Sequence, residues 1–382
     1  MKFIVLGAGL MGRALAFDLA RSQGVERVTI ADEKVERATG LARELNSPLI
    51  SSQELDVARF ADVVKTLRGH DCAISAVPYR FNAELTKASI ESGVHFCDLG
   101  GNDQIVEEQR RMDAEARRKG LLIVPNCGLA PGLGNVLAAG GAKIFGEGLD
   151  SISIRVGGLP RHPRPPLNYQ LVFSVEGLLN EYSGKARVLR NFQPAEIDAM
   201  TELETLTFPP PFGTVEAFLT SGGTSLLSEM FAGKVRHMDY KTIRFPGHCE
   251  RFRALLEIGF GSSEPISIGS NLMTAREVFM ELLKKKLPSA GPDVVLLRTE
   301  LKGDGRHSRK TLRYELIDNY DENANISSMM RTTAFPTSVI AQMIVGGRIQ
   351  GTGVRTPEQC VELDPLLSEL GSRNIHITQE WL

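Results

Sequence analysis

Short apolar runs, each closed by glycine or a polar turn and separated by amphipathic stretches, organise the first third of the chain. KFIVLG, RVTIAD, a short run near Leu49–Ser51, DCAISAVP, VHFCDLGG and GLLIVPNCG read as strands. Runs this short, apolar at consecutive positions, are strands covered on both faces. RALAFDLARSQG and residues 34–45, 58–68, 81–92 and 103–119 carry helical spacing instead. The alternation predicts an α/β fold with a parallel sheet and right-handed crossovers. From Asp150 the texture changes. SISIRVGGL, YQLVFSV, TIRF, DVVLLRTEL and TLRYELID read as strands, the last two as a hairpin around the polar KGDGRHSRK. Helices are expected at 249–258, 274–286 and 327–345, the last kinked or broken at Pro336. This second region reads as α+β and mostly antiparallel. The expected division is 1–127, 128–326, and 327–382 returning to the first part.

Chemistry enters at the first turn. In GAGLMG, Gly7 permits a tight turn, Gly9 lets backbone approach a pyrophosphate, and Gly12 lets helix and strand pack closely, with Leu10 and Met11 also expected at the cofactor. The following helix offers unpaired N–H groups to the same anion. Asp32 ends the next strand twenty residues beyond Gly12, where a carboxylate accepts ribose hydroxyls and repels a 2′-phosphate. NAD is therefore expected over NADP, with capping of the next helix as the plainer role for Asp32. Asp56 stands at a comparable turn and suits either an adenine amino group or a helix cap. Ligands of such sheets lie beyond the carboxyl ends of the strands, which here carry Val77-Pro78-Tyr79, Asp98-Leu99-Gly100-Gly101 and Asn126-Cys127-Gly128. A second glycine turn, PNCGLAPGLGN at 125–135, reads as the floor of that crevice near the nicotinamide and as the hinge into the second domain.

Composition narrows the class. Across 382 residues the net charge is −2, which leaves no electrostatic footprint for nucleic acid or an anionic membrane. No apolar run approaches the roughly 18 residues of a membrane span, and FIVLGAGL reads as a strand, not a signal peptide. Five scattered cysteines fit a reducing cytoplasm and neither a disulfide framework nor a zinc site. The histidines form no ligand cluster, so no catalytic metal is expected.

With VLGAGLMG and Asp32, AVPYRFN at 76–82, HFCDLGG at 95–101, NCGLAPG at 126–132, FSVEGLLNEY at 173–182, EAFLTSG at 216–222 and KTIRFPGHCE at 241–250, the chain resembles the saccharopine dehydrogenase-like family, closest to its lysine 6-dehydrogenases. The resemblance implies a Rossmann domain, an α+β domain that binds substrate and builds a homodimer, and NAD-linked oxidation at an amine-bearing carbon. For lysine that gives 2-aminoadipate 6-semialdehyde, which cyclises, and ammonia. The family also contains reductases that join an amine to an aldehyde. Saccharopine or a carboxylated polyamine is thus the alternative substrate, with Arg161 and Arg164 as further cations. A non-catalytic dinucleotide-binding regulator is the alternative of another class.

Amine oxidation by hydride transfer needs a neutral amine, whereas a lysine ammonium titrates near ~10.4. Asp98 is the candidate carboxylate beside the amine, with capping or ribose binding as its other roles. Tyr79 can orient amine or water, or simply pack. Arg244 suits the substrate carboxylate, since a guanidinium binds it bidentately, unless it makes a surface ion pair. His248 can act in proton transfer or be structural. Glu176 can hold an α-ammonium or be a solvated helix-start charge, and Thr224 can hydrogen-bond substrate.

Overall fold

The strands Lys2–Leu6 (β1), Arg27–Asp32 (β2), Ile50–Glu54 (β3), Cys72–Ser75 (β4), His95–Asp98 (β5) and Leu122–Val124 (β6) form one parallel sheet in the order β3-β2-β1-β4-β5-β6. This is seen in a computed structural model that describes residues 1–304 and 309–382. The order reverses between β1 and β4, the switch point at which such sheets bind ligands. Phe3, Ile4, Val5 and Leu6 have no exposed surface, as expected of a central strand covered on both faces. A seventh strand, Gly353–Val354, pairs in parallel with β6. Two residues carry no strand pattern, and the sequence reading does not find it.

The chain divides into two units. The first is Met1–Ile144, Ser225–Leu227 and Met330–His376, and the second is Phe145–Thr224, Ser228–Met329 and Ile377–Leu382. The apolar helix Leu133–Phe145 therefore lies almost entirely in the first unit instead of opening the second. The late helix Ser328–Val345 runs through Pro336 as one element. In the first unit its Ser338 hydroxyl donates to Asp18 Oδ2 at 2.6 Å, and Arg373 pairs with Asp18 Oδ1 at 2.7 Å, tying the returning segment to helix Leu10–Leu19. The last strand, Ile377–Trp381, departs from expectation and joins the sheet of the second unit.

Among the described residues that second sheet has nine strands. Its main path runs Glu204–Phe208, Gly213–Leu219, His237–Arg244, Leu149–Pro160, Asp293–Asp304, Arg309–Asn319 and Ile377–Trp381, with Lys185–Arg190 and Gln193–Asp198 branching off the start of His237–Arg244. Among the described residues only Leu149–Pro160 and His237–Arg244 run parallel in it. The expected hairpin is present as Asp293–Asp304 against Arg309–Asn319; its turn, 305–308, lies outside the described residues. YQLVFSV is not a strand. Tyr169 and Leu171 are buried in a loop, where the Leu171 N–H donates to the Pro288 carbonyl at 2.7 Å and the Gln170 amide to the Gly291 carbonyl at 3.0 Å. Val175 instead opens the helix Val175–Glu181, capped by Ser174. Burial demanded apolar residues here whatever the backbone did.

Candidate active site

The turn from β1 into helix Leu10–Leu19 fits a dinucleotide. A Cβ on Gly12 would fall on the carbonyl oxygen of Gly7, whereas a Cβ on Gly9 would meet no protein atom within 4 Å. Backbone thus packs on backbone at Gly12 and faces open space at Gly9. No side chain caps the helix and no acid lies in its first turn, so its N–H groups suit a pyrophosphate. Leu10 beside them is exposed and Met11 half-buried. Asp32 ends β2 with Oδ2 accepting from the Ala8 N–H at 2.8 Å and Oδ1 from the Lys34 N–H at 3.0 Å. It fastens the glycine turn to β2, and each oxygen keeps a lone pair for a ribose hydroxyl. Val77 flanks Gly7, Pro78 is exposed, and Leu99 and Gly100 follow β5. Asp56 makes the contacts of a turn-former: it accepts from the Ala58 N–H at 2.9 Å and pairs with Arg59 at 3.6 Å.

The second glycine turn differs from its expected role. It is buried along nearly its whole length, and its Gly128 and Gly132 pack against protein backbone. A Cβ on Gly132, where φ is +137°, would fall on the Gly128 carbonyl, and one on Gly128 would sit 2.9 Å from the Leu99 carbonyl. The Cys127 carbonyl accepts from Thr337 Oγ1 at 2.8 Å. Asn126, expected at the cofactor, points inward: its N–H donates to Asp98 Oδ1 at 3.0 Å and its amide to Ser225 Oγ at 3.0 Å.

Asp98 holds this knot together. Its Oδ1 accepts from the N–H groups of Gly100 at 2.8 Å and Asn126, and its Oδ2 accepts from Gln109 Nε2 at 2.7 Å. Burial pushes its carboxyl up to about 6, against the pull of those donors. Fully buried and holding three protein donors, it acts as a latch; Asn102 caps the next helix instead. Its folded pKa lies above the ordinary 3.8, so its contribution to stability is full below that value and is lost as pH rises through 6. Asp98→Asn should leave kcat within about threefold, because Gln109 can turn its amide to accept the new N–H, and should flatten stability across that window. Asp98→Ala strands three buried donors and should cost about 2–5 kcal/mol. Thermal melts from pH 4 to 7 with steady-state rates check both, and a hundredfold loss of kcat in a folded Asp98→Asn would return the residue to catalysis. Tyr79, half-buried at the start of the turn Tyr79–Phe81, lays its ring over Gly101.

In the second unit Arg244 ends its strand buried at 2% exposure. Nε–H donates to the Tyr182 hydroxyl at 2.7 Å and Nη1 to the Ile243 carbonyl at 2.9 Å. The guanidinium lies 4.8 Å from the Tyr169 ring centre and 5.6 Å from that of Tyr182. Tyr182 meets His248 Nε2 at 3.0 Å, and His248 Nδ1 meets the Leu167 carbonyl at 2.9 Å. A carbonyl only accepts, so Nδ1 carries the proton and Nε2 accepts from Tyr182. Burial, then Arg244, pull His248 down to about 3. Both ring nitrogens are engaged and the ring is neutral, so His248 positions Arg244 through Tyr182 and is not the proton acceptor expected of it. Arg244 is no surface ion pair either. Its nearest carboxylate is Glu181 Oε2, 3.9 Å from Nη2. Glu176 is exposed in the first helical turn, the solvated charge of its plainer reading. Thr224 is buried and donates to the Arg187 carbonyl at 3.4 Å.

Tyr169, Glu181 and Tyr182 were not singled out from sequence. The signal was present in EGLLNEY: five residues along a helix rotate about 140°, so Glu176 and Glu181 face different ways. Among the described residues no group of three His, Cys, Asp or Glu could hold a metal, and no helix is long and apolar enough to cross a membrane.

Comparison with known proteins places these parts. Residues 3–124 match the family description "Saccharopine dehydrogenase NADP binding domain", and residues 128–375 match "Saccharopine dehydrogenase C-terminal domain". The NADP(+)-linked, L-glutamate-forming saccharopine dehydrogenase of Schizosaccharomyces pombe is 21% identical, over 99% of this chain and 98% of its own. Carboxyaminopropylagmatine dehydrogenase of Synechocystis is 22% identical, over 98% and 96%. The solved L-Glu-forming saccharopine dehydrogenase of Saccharomyces cerevisiae shares the fold with a TM-score of 0.82 at 19% identity, covering 100% of this chain and 99% of its own.

Proposed function

The chain belongs to the saccharopine dehydrogenase family, an oxidoreductase family with a pyridine-nucleotide-binding domain, and from that premise we propose that it oxidises the ε-amine of L-lysine with NAD. The balanced reaction takes lysine, NAD⁺ and water to 2-aminoadipate 6-semialdehyde, NADH, ammonium and a proton. A dinucleotide held at the glycine turn 7–12 and Asp32 would supply the hydride acceptor; every other task falls to the chain. Arg244 receives the substrate carboxylate at its Nη2 edge, where it makes no hydrogen bond among the described residues, and this observation carries the reading. His248 has both ring nitrogens engaged and Asp98 is buried on three protein donors, so the amine proton leaves to solvent. The homodimer and the cytoplasmic location belong to the same reading; sedimentation equilibrium tests the first.

Two measurements test the proposal. Purified protein with NAD and L-lysine should reduce cofactor, with kcat/KM rising about tenfold per pH unit from 7 to 9, since the neutral amine is the reactive form and titrates near ~10.4. Consumption of NADPH with an amine and a semialdehyde, and no lysine oxidation, would instead support the saccharopine-type or carboxylated-polyamine reading that the Synechocystis relative favours. Asp32→Asn should raise the NADP-to-NAD ratio of kcat/KM by about tenfold or more, because it removes a negative charge from the ribose end. An unchanged ratio would remove the argument for NAD.

A further inference from the structure

The second unit holds three unmet polar demands at one place. Arg244 is buried among neutral partners and ring faces, and a buried cation without a closed counter-ion is costly. Glu181, the last residue of its helix, has its carboxylate 3.9 Å from Nη2 with a third of the side chain exposed, and that carboxylate makes no hydrogen bond among the described residues. The hydroxyl of Tyr169, on the ring beneath the guanidinium, is buried and has no hydrogen-bond partner among the described residues. A lone carboxylate would satisfy Arg244 but crowd a second negative charge against Glu181. A neutral ligand would answer neither. A ligand with a carboxylate and an ammonium on one carbon meets all three demands.

Building on the reading of Arg244 given above, we infer that Glu181 and Arg244 form a clamp for the zwitterionic head of an α-amino acid. Glu181 swings outward from its loose pairing to take the α-ammonium. The opened Nη2 edge of Arg244 and the hydroxyl of Tyr169 take the carboxylate. His248 and Tyr182 hold the guanidinium still, since Tyr182 accepts from Nε–H and donates to the neutral imidazole. Glu181 thereby sets specificity for α-amino acids over simple carboxylates, and it does so irrespective of which distal group reacts.

The test uses L-norleucine and hexanoate, which share a chain and differ in the α-ammonium, and neither carries the amine to be oxidised. Calorimetric titration of the full-length protein with NAD present should give the wild type a clear preference for norleucine. Glu181→Gln should weaken norleucine about tenfold or more while leaving hexanoate unchanged or tighter, the scale of a lost hydrogen bond to a charged group. Tyr169→Phe should weaken both ligands by a similar factor. Glu181→Asp, which keeps the charge on a shorter stem, should fall between the wild type and Glu181→Gln and serves if the Gln variant does not fold. A norleucine-to-hexanoate ratio that Glu181→Gln leaves unmoved overturns the clamp, as does a wild type that binds neither ligand. Lysine oxidation by the same wild-type preparation is scored separately, so failure of the reaction and failure of the clamp give different results.

Discussion

Gly12→Ala is expected to abolish dinucleotide binding, with Kd rising at least about a hundredfold, a loss of about 2.7 kcal/mol or more. The added methyl would fall on the Gly7 carbonyl oxygen, a backbone atom that no rotamer change can move. Gly7 is itself pinned, its N–H donating to the Ala31 carbonyl at 2.7 Å. Relief requires lifting helix Leu10–Leu19 from the sheet, although its own Ala14, Leu15 and Leu19 have no exposed surface. Overpacking of this kind costs about 1–3 kcal/mol or more, so the melting temperature should fall as well. Gly9→Ala separates the two effects. Its methyl meets no protein atom, so the melting temperature should hold while dinucleotide affinity drops. Titration of intrinsic fluorescence or calorimetry with NAD, paired with thermal melts, reads both variants. Wild-type affinity in Gly12→Ala would show that this turn does not carry the cofactor.

Arg244→Met should cut kcat/KM for L-lysine by about 10²- to 10³-fold, the effect of removing one partner of a desolvated charge pair. The loss should appear mainly in KM, because the carboxylate is held alike in ground and transition states. Cadaverine, which lacks the carboxylate, should be oxidised equally slowly by both proteins. Stability should change little or rise, since methionine replaces a buried charge among aromatic rings, and the Tyr182 hydroxyl keeps His248 as its acceptor. Arg244→Lys should not rescue. An ammonium cannot both reach Tyr182 and present a planar edge to a carboxylate. An unchanged lysine KM in Arg244→Met would remove Arg244 from the substrate site and, with it, the clamp.

What could be read along the chain is what ten or twenty consecutive residues encode. The glycine turn between strand and helix, Asp32 at its spacing, and the strand–helix alternation all follow from backbone sterics and periodicity, which act over that range. The roles of single polar side chains did not follow, because their partners are distant in sequence. Asp98 became a latch through the N–H of Asn126, 28 residues on, and the tautomer of His248 was fixed by the carbonyl of Leu167, 81 residues back. Tyr182 and Arg244 meet across 62 residues. The second glycine turn shows the same limit: its composition announced close approach, but the late helix closing over Cys127 from 210 residues away made protein the thing approached. Local spacing sets backbone conformation; burial, protonation and hydrogen-bond pairing depend on what the folded chain brings alongside.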